Sequence, residues 1–266
     1  MFDIMNQAKD TIQAYNSALS INSANIANMS VNGYKRLDIS FESIFNKLIN
    51  SGTAADAFSN LGGTNPTQYG GGAAVAEVGI DFSQGSFVAG SDIDLAITGN
   101  GLFIVSPDGG STYRYTRAGD FSINNGNLVT AAGHQVYGFN SAGSLVPISG
   151  LNPDANNYSW TTAGVLQYNS ADTVYSIALT YFTNPQGLAQ GDGTTFIETL
   201  ASGTPSSPVG SGSSAGSVTG GSLEQSNVFY LGETIDSLEI QRALSGNLSV
   251  VRMASDIINN FITKLG

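Results

Sequence analysis

The two ends of this chain carry the same apolar rhythm, and that repetition constrains the fold more than anything between them. Met5, Ala8, Ile12, Tyr15, Leu19, Asn22, Ile26 and Met29 are separated by alternating steps of three and four residues. Such spacing lays a narrow stripe along one side of a helix of roughly 25 residues, about 37 Å long. Ser30-Val31-Asn32-Gly33 then breaks the pattern, with Gly33 suited to the left-handed position beyond a helix end. Near the other terminus Ile240, Leu244, Asn247, Val251, Ala254, Ile258, Phe261 and Leu265 repeat the same alternation. Each stripe holds one asparagine, Asn22 and Asn247, a device that fixes register at some cost in stability. A seam of about six sizeable apolar side chains is worth roughly 1.5–3 kcal/mol for each one buried, yet an isolated helix of this kind is marginal in water. The terminal segments are therefore expected to be poorly ordered alone and helical against neighbours. Packing of both helices on the chain's own body is the plainer alternative.

Charge separates these ends from the middle. The chain of 266 residues has 9 Lys and Arg against 20 Asp and Glu, a formal charge of −11. Seven of the nine cations lie in residues 1–48 and 223–266; the stretch 49–222 keeps only Arg114 and Arg117. So acidic a chain argues against nucleic acid and anionic membrane as partners. Cysteine is absent and histidine occurs once, at His134. Disulfides, thiolate catalysis and Cys-based or two-His metal sites are thereby excluded. The start, Met1-Phe2-Asp3-Ile4, has neither a basic region nor an apolar run, so no cleavable signal peptide is expected. No stretch reaches the roughly 18 apolar residues that span a bilayer.

The middle reads as β-structure. Asp94–Ile97 leads through Gly99-Asn100-Gly101 into Leu102–Val105, and Pro107-Asp108-Gly109-Gly110 turns the chain toward Tyr113 and Tyr115. Phe121–Ile123 and Leu128-Val129 flank Asn124-Asn125-Gly126-Asn127, a hairpin signal. Val165–Tyr168, Tyr175–Phe182 and Phe196-Ile197 are further strand candidates. Two Gly-rich connections stand out. One is 50–72, with Gly62-Gly63 and Gly70-Gly71-Gly72; the other is 203–222, with seven Ser, six Gly, two Pro and no charge.

Several motifs now resemble a known family, the bacterial flagellar rod and hook proteins. Asn25-Ile26-Ala27-Asn28 followed by Gly33-Tyr34-Lys35 is similar to its N-terminal signature, with Ala24 where a second Asn is usual. Asp81-Phe82-Ser83-Gln84-Gly85, Asp94–Ile97 with Gly99, Gly101 and Phe103, and Tyr115-Thr116-Arg117 with Gly119 and Phe121 follow in order. Gly126–Thr130 continues the series. Leu223-Glu224-Gln225-Ser226-Asn227-Val228 and Gln241-Arg242-Ala243 resemble the C-terminal signature, with Leu244 in place of a common Tyr. The matches run from about residue 18 to 254.

That resemblance implies an α+β chain whose terminal helices form a coiled-coil layer, with a β-rich domain outside it. The expected parts are an N-terminal helix over 1–33, an extended or hairpin subunit-contact segment over 34–80 and a shell domain over 81–202. A Ser/Gly linker over 203–222 and a C-terminal helix over 223–266 complete it. It further implies a non-enzymatic subunit with no cofactor or metal, polymerising helically with copies of itself into the axial tube. Neighbouring axial proteins and the flagellar export apparatus would be its partners, with the rings around the rod as a further contact. The location implied is the basal body or hook, periplasmic to extracellular. The limited room between Phe139 and Ser222 favours a distal-rod type, whereas Gly62–Gly70 resembles a hook-protein segment and keeps a short hook protein as the alternative.

From a different class, the acidic Ser/Gly/Asn/aromatic-rich middle fits a secreted adhesin or glycan-binding module. Other features read more plainly. His134 is expected at a hairpin or strand end, and Asp92 and Asp94 as turn acids, since the later ligands of a calcium loop are missing. Gly210, Gly212 and Gly216 have no preceding strand or following Lys to make a phosphate loop. The sequon at Asn157 is chance, and Trp160 a core or contact aromatic. No base–nucleophile pair is visible.

Overall fold

The computed structural model describes residues 2–43, 46–52, 62–70, 72–153 and 157–265. It is an α+β fold of two long helices and many short strands. Helix α1 spans Phe2–Ala27 and helix α2 spans Tyr230–Leu265. The chain divides into two units. One is made of 1–24, 38–78 and 231–266; the other, a β-rich body, of 25–37 and 79–230.

The body is built on strand Leu102–Ser106, buried along its whole length. Its side chains alternate between two cores, as a pleated strand dictates. Phe103 and Val105 join Leu95, Ile97, Leu128, Ile148, Trp160 and Leu179 on one side. Leu102 and Ile104 join Tyr115, Tyr137, Phe182 and Phe196 on the other. A strand covered on both faces reads as a continuous apolar run, which is why Leu-Phe-Ile-Val carries no polar alternation. Around it the sheet runs 158–160, 165–168, 171–177, 135–139, 102–106, 114–116, 195–197 and 189–190, with every adjacent pair antiparallel. Edge-to-face rings lock the two cores: Phe103 on Phe121 at 5.1 Å and Tyr115 on Phe182 at 4.8 Å.

The hairpin expected at Asn124–Asn127 forms with Asn124 opposite Asn127. Asn125 and Gly126 both take positive φ, 49° and 78°, as a tight right-twisting hairpin requires. The single Trp160 donates Nε1–H to the Ile93 carbonyl at 2.7 Å. Residues 203–222, expected as an extended or flexible connection, are extended and stitched to the body. Val209 exchanges both main-chain bonds with Leu179, and Ser217–Gly220 pairs with Leu95–Thr98.

Both helix boundaries differ from the sequence expectation. Helix α1 ends at Ala27, and Met29 lies in the following turn. Gly33 does have positive φ, 69°, but its role is close approach: an added Cβ would stand 2.3 Å from the Ala118 nitrogen. Helix α2 starts at Tyr230, because Ser222–Glu224 is a strand paired with Phe87–Ala89. Parts of 34–80, namely 44–45, 53–61 and Gly71, lie outside the described residues. Within what is described there, Leu37–Ser43 pairs with Ala73–Ile80, and Asn46–Asn50 with Thr67–Gly70.

Candidate functional site

In the helical unit, α1 buries Ala8, Thr11, Ala14, Ala18 and Asn22 most deeply. This line shares Ala8 and Asn22 with the apolar stripe read from the sequence and runs beside the rest of it. Met5, Ile12, Tyr15 and Leu19 flank it half-buried. The Thr11 hydroxyl accepts from the Ala73 amide at 3.2 Å, and Tyr15 stands edge-on to Phe41 with ring centres 5.7 Å apart. Asn22 donates Nδ2–H to the Ser237 hydroxyl of α2 at 3.3 Å.

Helix α2 has two apolar sides. Ile240, Leu244, Asn247, Val251 and Ile258 are half-buried and Ala254 is buried. Asn247 donates to the Ala243 carbonyl of its own helix at 3.2 Å, so the structure does not pair it with Asn22. Phe261 is 68% exposed, and the side chain of Leu265 lies outside the described residues. The second side, which the sequence reading did not single out, holds Leu231, Ile235, Leu238, Met253 and Ile257, each more than half exposed.

In the body, the motif residues meet at a buried junction. Asn25 is fully buried; its Nδ2 donates to the Leu37 carbonyl at 2.9 Å and its Oδ1 accepts from the Leu37 amide at 3.0 Å. It thus acts as a strand partner in side-chain form, and the Tyr34 hydroxyl donates to the same Oδ1. Asn227 does the equivalent: Oδ1 accepts from the Arg36 amide at 2.8 Å and Nδ2 donates to the Asp81 carbonyl at 2.8 Å. Ser226 accepts from the Val228 amide through its hydroxyl at 3.2 Å. Beside Asn25, Ile26 and Asn28 are half-buried and Ala27 is exposed. Gln241 and Arg242 are exposed and Ala243 half-buried, and these three belong to the helical unit, apart from the junction.

At the centre lies Glu224. Its Oε1 accepts from Lys35 Nζ at 2.6 Å and from the Gly85 amide at 3.0 Å, and its Oε2 accepts from Arg117 Nε at 2.9 Å. All three side chains are almost completely buried. Two cations therefore share one carboxylate, and their remaining donors turn to main-chain carbonyls. Lys35 reaches Ser83 O at 2.7 Å, and Arg117 reaches Gly99 O at 2.8 Å, Gly101 O at 2.5 Å and Ile97 O at 3.3 Å. Burial pushes the Lys35 ammonium below its ordinary value, while the hydrogen bond and charge of Glu224 hold it up. Burial lowers Arg117 too, again opposed by Glu224. The carboxylate is saturated by donors, so its chemistry is structural.

Lys35 was recognised from the sequence as a motif residue, but Arg117 and Glu224 were not identified as its partners. Their signals were present: Arg117 is one of two cations in 49–222 and stands among Gly99, Gly101 and Gly119, and Glu224 is the first charge after Glu198. Elsewhere, His134 follows the turn into strand Gln135–Phe139 and shares two bonds with Thr130, as expected of a strand-end residue. Its Nδ1 is buried without a hydrogen-bond partner, and burial first, then the Arg114 charge, lowers its pKa. Asp94 accepts from the Ser91 amide at 2.7 Å in a turn. Among the described residues no cluster of three or more His, Cys, Asp or Glu is arranged to hold a metal.

Comparison with known proteins fits this arrangement. The family model for the D1 domain of flagellar hook proteins FlgE/F/G matches residues 96–168, the centre of the body. The flagellar basal-body rod protein FlgG of Bacillus subtilis is 29% identical over 255 residues, 93% of each chain. FlgG of Caulobacter vibrioides is 31% identical over 245 residues, 89% of each. The flagellar hook protein FlgE of Helicobacter mustelae is 40% identical over 131 residues, which is 48% of this chain but 28% of that protein. With most of its motifs converging on one junction and about nine-tenths of its length aligned to rod proteins at up to 31% identity, this chain belongs to the flagellar basal-body rod and hook protein family.

Proposed function

We propose that this chain is a structural subunit of the bacterial flagellar axis that assembles helically into the distal rod, encloses the export channel and transmits torque. The observation that carries rod over hook is length. The rod protein of Bacillus subtilis aligns over 93% of both chains, whereas the hook protein of Helicobacter mustelae is matched over 28% of its length. The higher identity to hook proteins, 40% and 38% over about half of this chain, favours a short hook protein as the second reading.

In this reading 1–33 and 223–266 supply the inner coiled-coil layer, 81–202 the outer shell, with 203–222 linking it to the last helix, and 34–80 the subunit contacts. The two stripes read from the sequence are its assembly seams. What supports the helical layer is α2 itself, which keeps one apolar side half-buried within its own chain and leaves another side uncovered. That much exposed apolar surface is unfavourable in water and is relieved by further helices of the same kind. Heterologous contacts whose rotation does not close generate open helical filaments, the arrangement this reading requires. The partners are other copies, neighbouring axial proteins, the export apparatus that delivers the chain, and the rings around the rod.

The test is sedimentation and electron microscopy of the full chain over rising concentration, beside the double variant Ile257→Asp/Phe261→Asp. Both positions are more than half exposed, so the variant is expected to fold and stay monomeric while the parent forms tubes. Straight tubes favour rod and curved ones hook. Normal tubes from the double variant would sink the proposal.

A further inference from the structure

The Lys35–Glu224–Arg117 cluster draws its charges from three distant parts of the chain, and their order matters. The cations at 35 and 117 precede the carboxylate at 224, and the chain carries no charge between Glu198 and Glu224. We propose that Glu224 is a late-arriving counter-ion that gates closure of the β-rich body: until it is in place, Lys35 and Arg117 keep the two halves of the junction apart.

The argument is one of desolvation. Closing Gly99, Gly101 and Ile97 around the Arg117 guanidinium, and Ser83 around the Lys35 ammonium, removes both cations from water. Carbonyl dipoles alone do not offset that cost, and a buried charge stripped of its partner is strongly destabilising. Glu224 is the opposite charge acting on Arg117, and it supplies both a hydrogen bond and a charge to Lys35, with Asp81 adding a weaker field. The same residue closes the backbone. Its carbonyl accepts from the Gly33 amide at 2.7 Å, its strand pairs with Phe87–Ala89, and its neighbour Gln225 donates to Ser86 O at 2.8 Å. Neutralisation and strand closure therefore occur in one event. A chain made or delivered N-terminus first holds its body open until the segment leading into α2 has arrived.

Refolding of the full chain from urea tests this, followed by the fluorescence of Trp160, which sits in the body core. Compared are the parent, Glu224→Gln, and the triple variant Lys35→Met/Arg117→Met/Glu224→Met. Glu224→Gln keeps the shape and removes the charge, so folding is expected to slow by about tenfold or more, with a smaller rise in the unfolding rate. The triple variant, with no charge to neutralise, is expected to fold at close to the parent rate. Should Glu224→Gln not fold at all while the triple variant does, the same conclusion holds. An unchanged folding rate with faster unfolding in Glu224→Gln would overturn it, since the cluster would then form after closure. So would equal slowing, or equal failure to fold, of both variants, because shape rather than charge would then be at work.

Discussion

The body and α2 treat apolar residues in opposite ways. In strand Leu102–Ser106 every side chain is buried, and successive residues serve two separate cores. Along α2 one side is half-buried, except for Phe261 near its end, and a second side holds Leu231, Ile235, Leu238, Met253 and Ile257 in the open. The body thus completes its packing within one chain, whereas the helix carries more apolar surface than its own chain covers. Stability and assembly are accordingly written in different places, and paired substitutions separate them.

The largest contrast is expected between two phenylalanines. Phe103→Ala removes a fully buried ring and is expected to cost about 3–5 kcal/mol, read as a lower urea midpoint. Phe261→Ala is expected to leave the monomer within about 0.5 kcal/mol, because its ring faces solvent, while lowering the extent of polymerisation. A large loss of monomer stability from Phe261→Ala would erase the distinction between the two regions.

A smaller effect is expected at the junction. Asn25→Ala leaves the half-buried amide and carbonyl of Leu37 without their side-chain partner, at a cost of about 1–3 kcal/mol. Protease cleavage near residues 28–37 should accelerate in that variant before the core around Trp160 loosens. Simultaneous loss of both signals would mean that this segment and the core open as one unit.

Much of this architecture was legible in the sequence because it rests on local rules. The Asn125-Gly126 turn needs positive φ at both residues, and Asn-Gly announces it. The alternation of four and three from Ile240 to Ile258 marks the half-buried side of α2. What escaped depends on residues far apart. Nothing near Lys35 points to a carboxylate at 224, and the ion cluster exists only once three distant segments converge. On α1 Ala14 and Ala18 are buried beside the stripe members Ala8 and Asn22, and a search for large apolar residues passes over them. On α2 a second line beginning Leu231, Ile235, Leu238 lay in plain view, but one seam was enough to satisfy the periodicity.

Acid should bear on the body through its one histidine. Burial lowers the His134 pKa below its ordinary value of 6.5, so the unfolded chain takes up a proton before the folded one does. Stability is therefore full above about pH 6.5 and declines as pH falls toward the folded value. His134→Gln should flatten that part of the curve of melting temperature against pH. An unchanged slope between pH 6.5 and 5 would show that His134 does not set the decline, and Asp94 and Asp120 could not account for it either. Burial raises the pKa of both, and their contribution has the opposite sign, falling as pH rises.

The smallest effect is expected at Arg114, and it separates surface pairing from its influence on the interior. Arg114 pairs with Asp192 at 2.5 Å, but the Asp192 side chain is 78% exposed, so Arg114→Gln should change stability at neutral pH by at most about 1 kcal/mol. Its effect on acid sensitivity has a definite sign. Arg114 and Gln135 stand opposite neighbouring residues of one strand, Val105 and Ser106, so Arg114 and the strand that follows His134 flank the same strand. That positive charge is the second cause of the lowered histidine pKa, after burial. Removing it lets folded His134 bind a proton more readily, so the gap between folded and unfolded values narrows. The acid decline should then be shallower in Arg114→Gln than in the parent, even though neutral stability is nearly the same. A steeper decline would mean that loss of the partner of Asp192 outweighs relief of the histidine, and that the surface pair matters to the body more than its exposure implies.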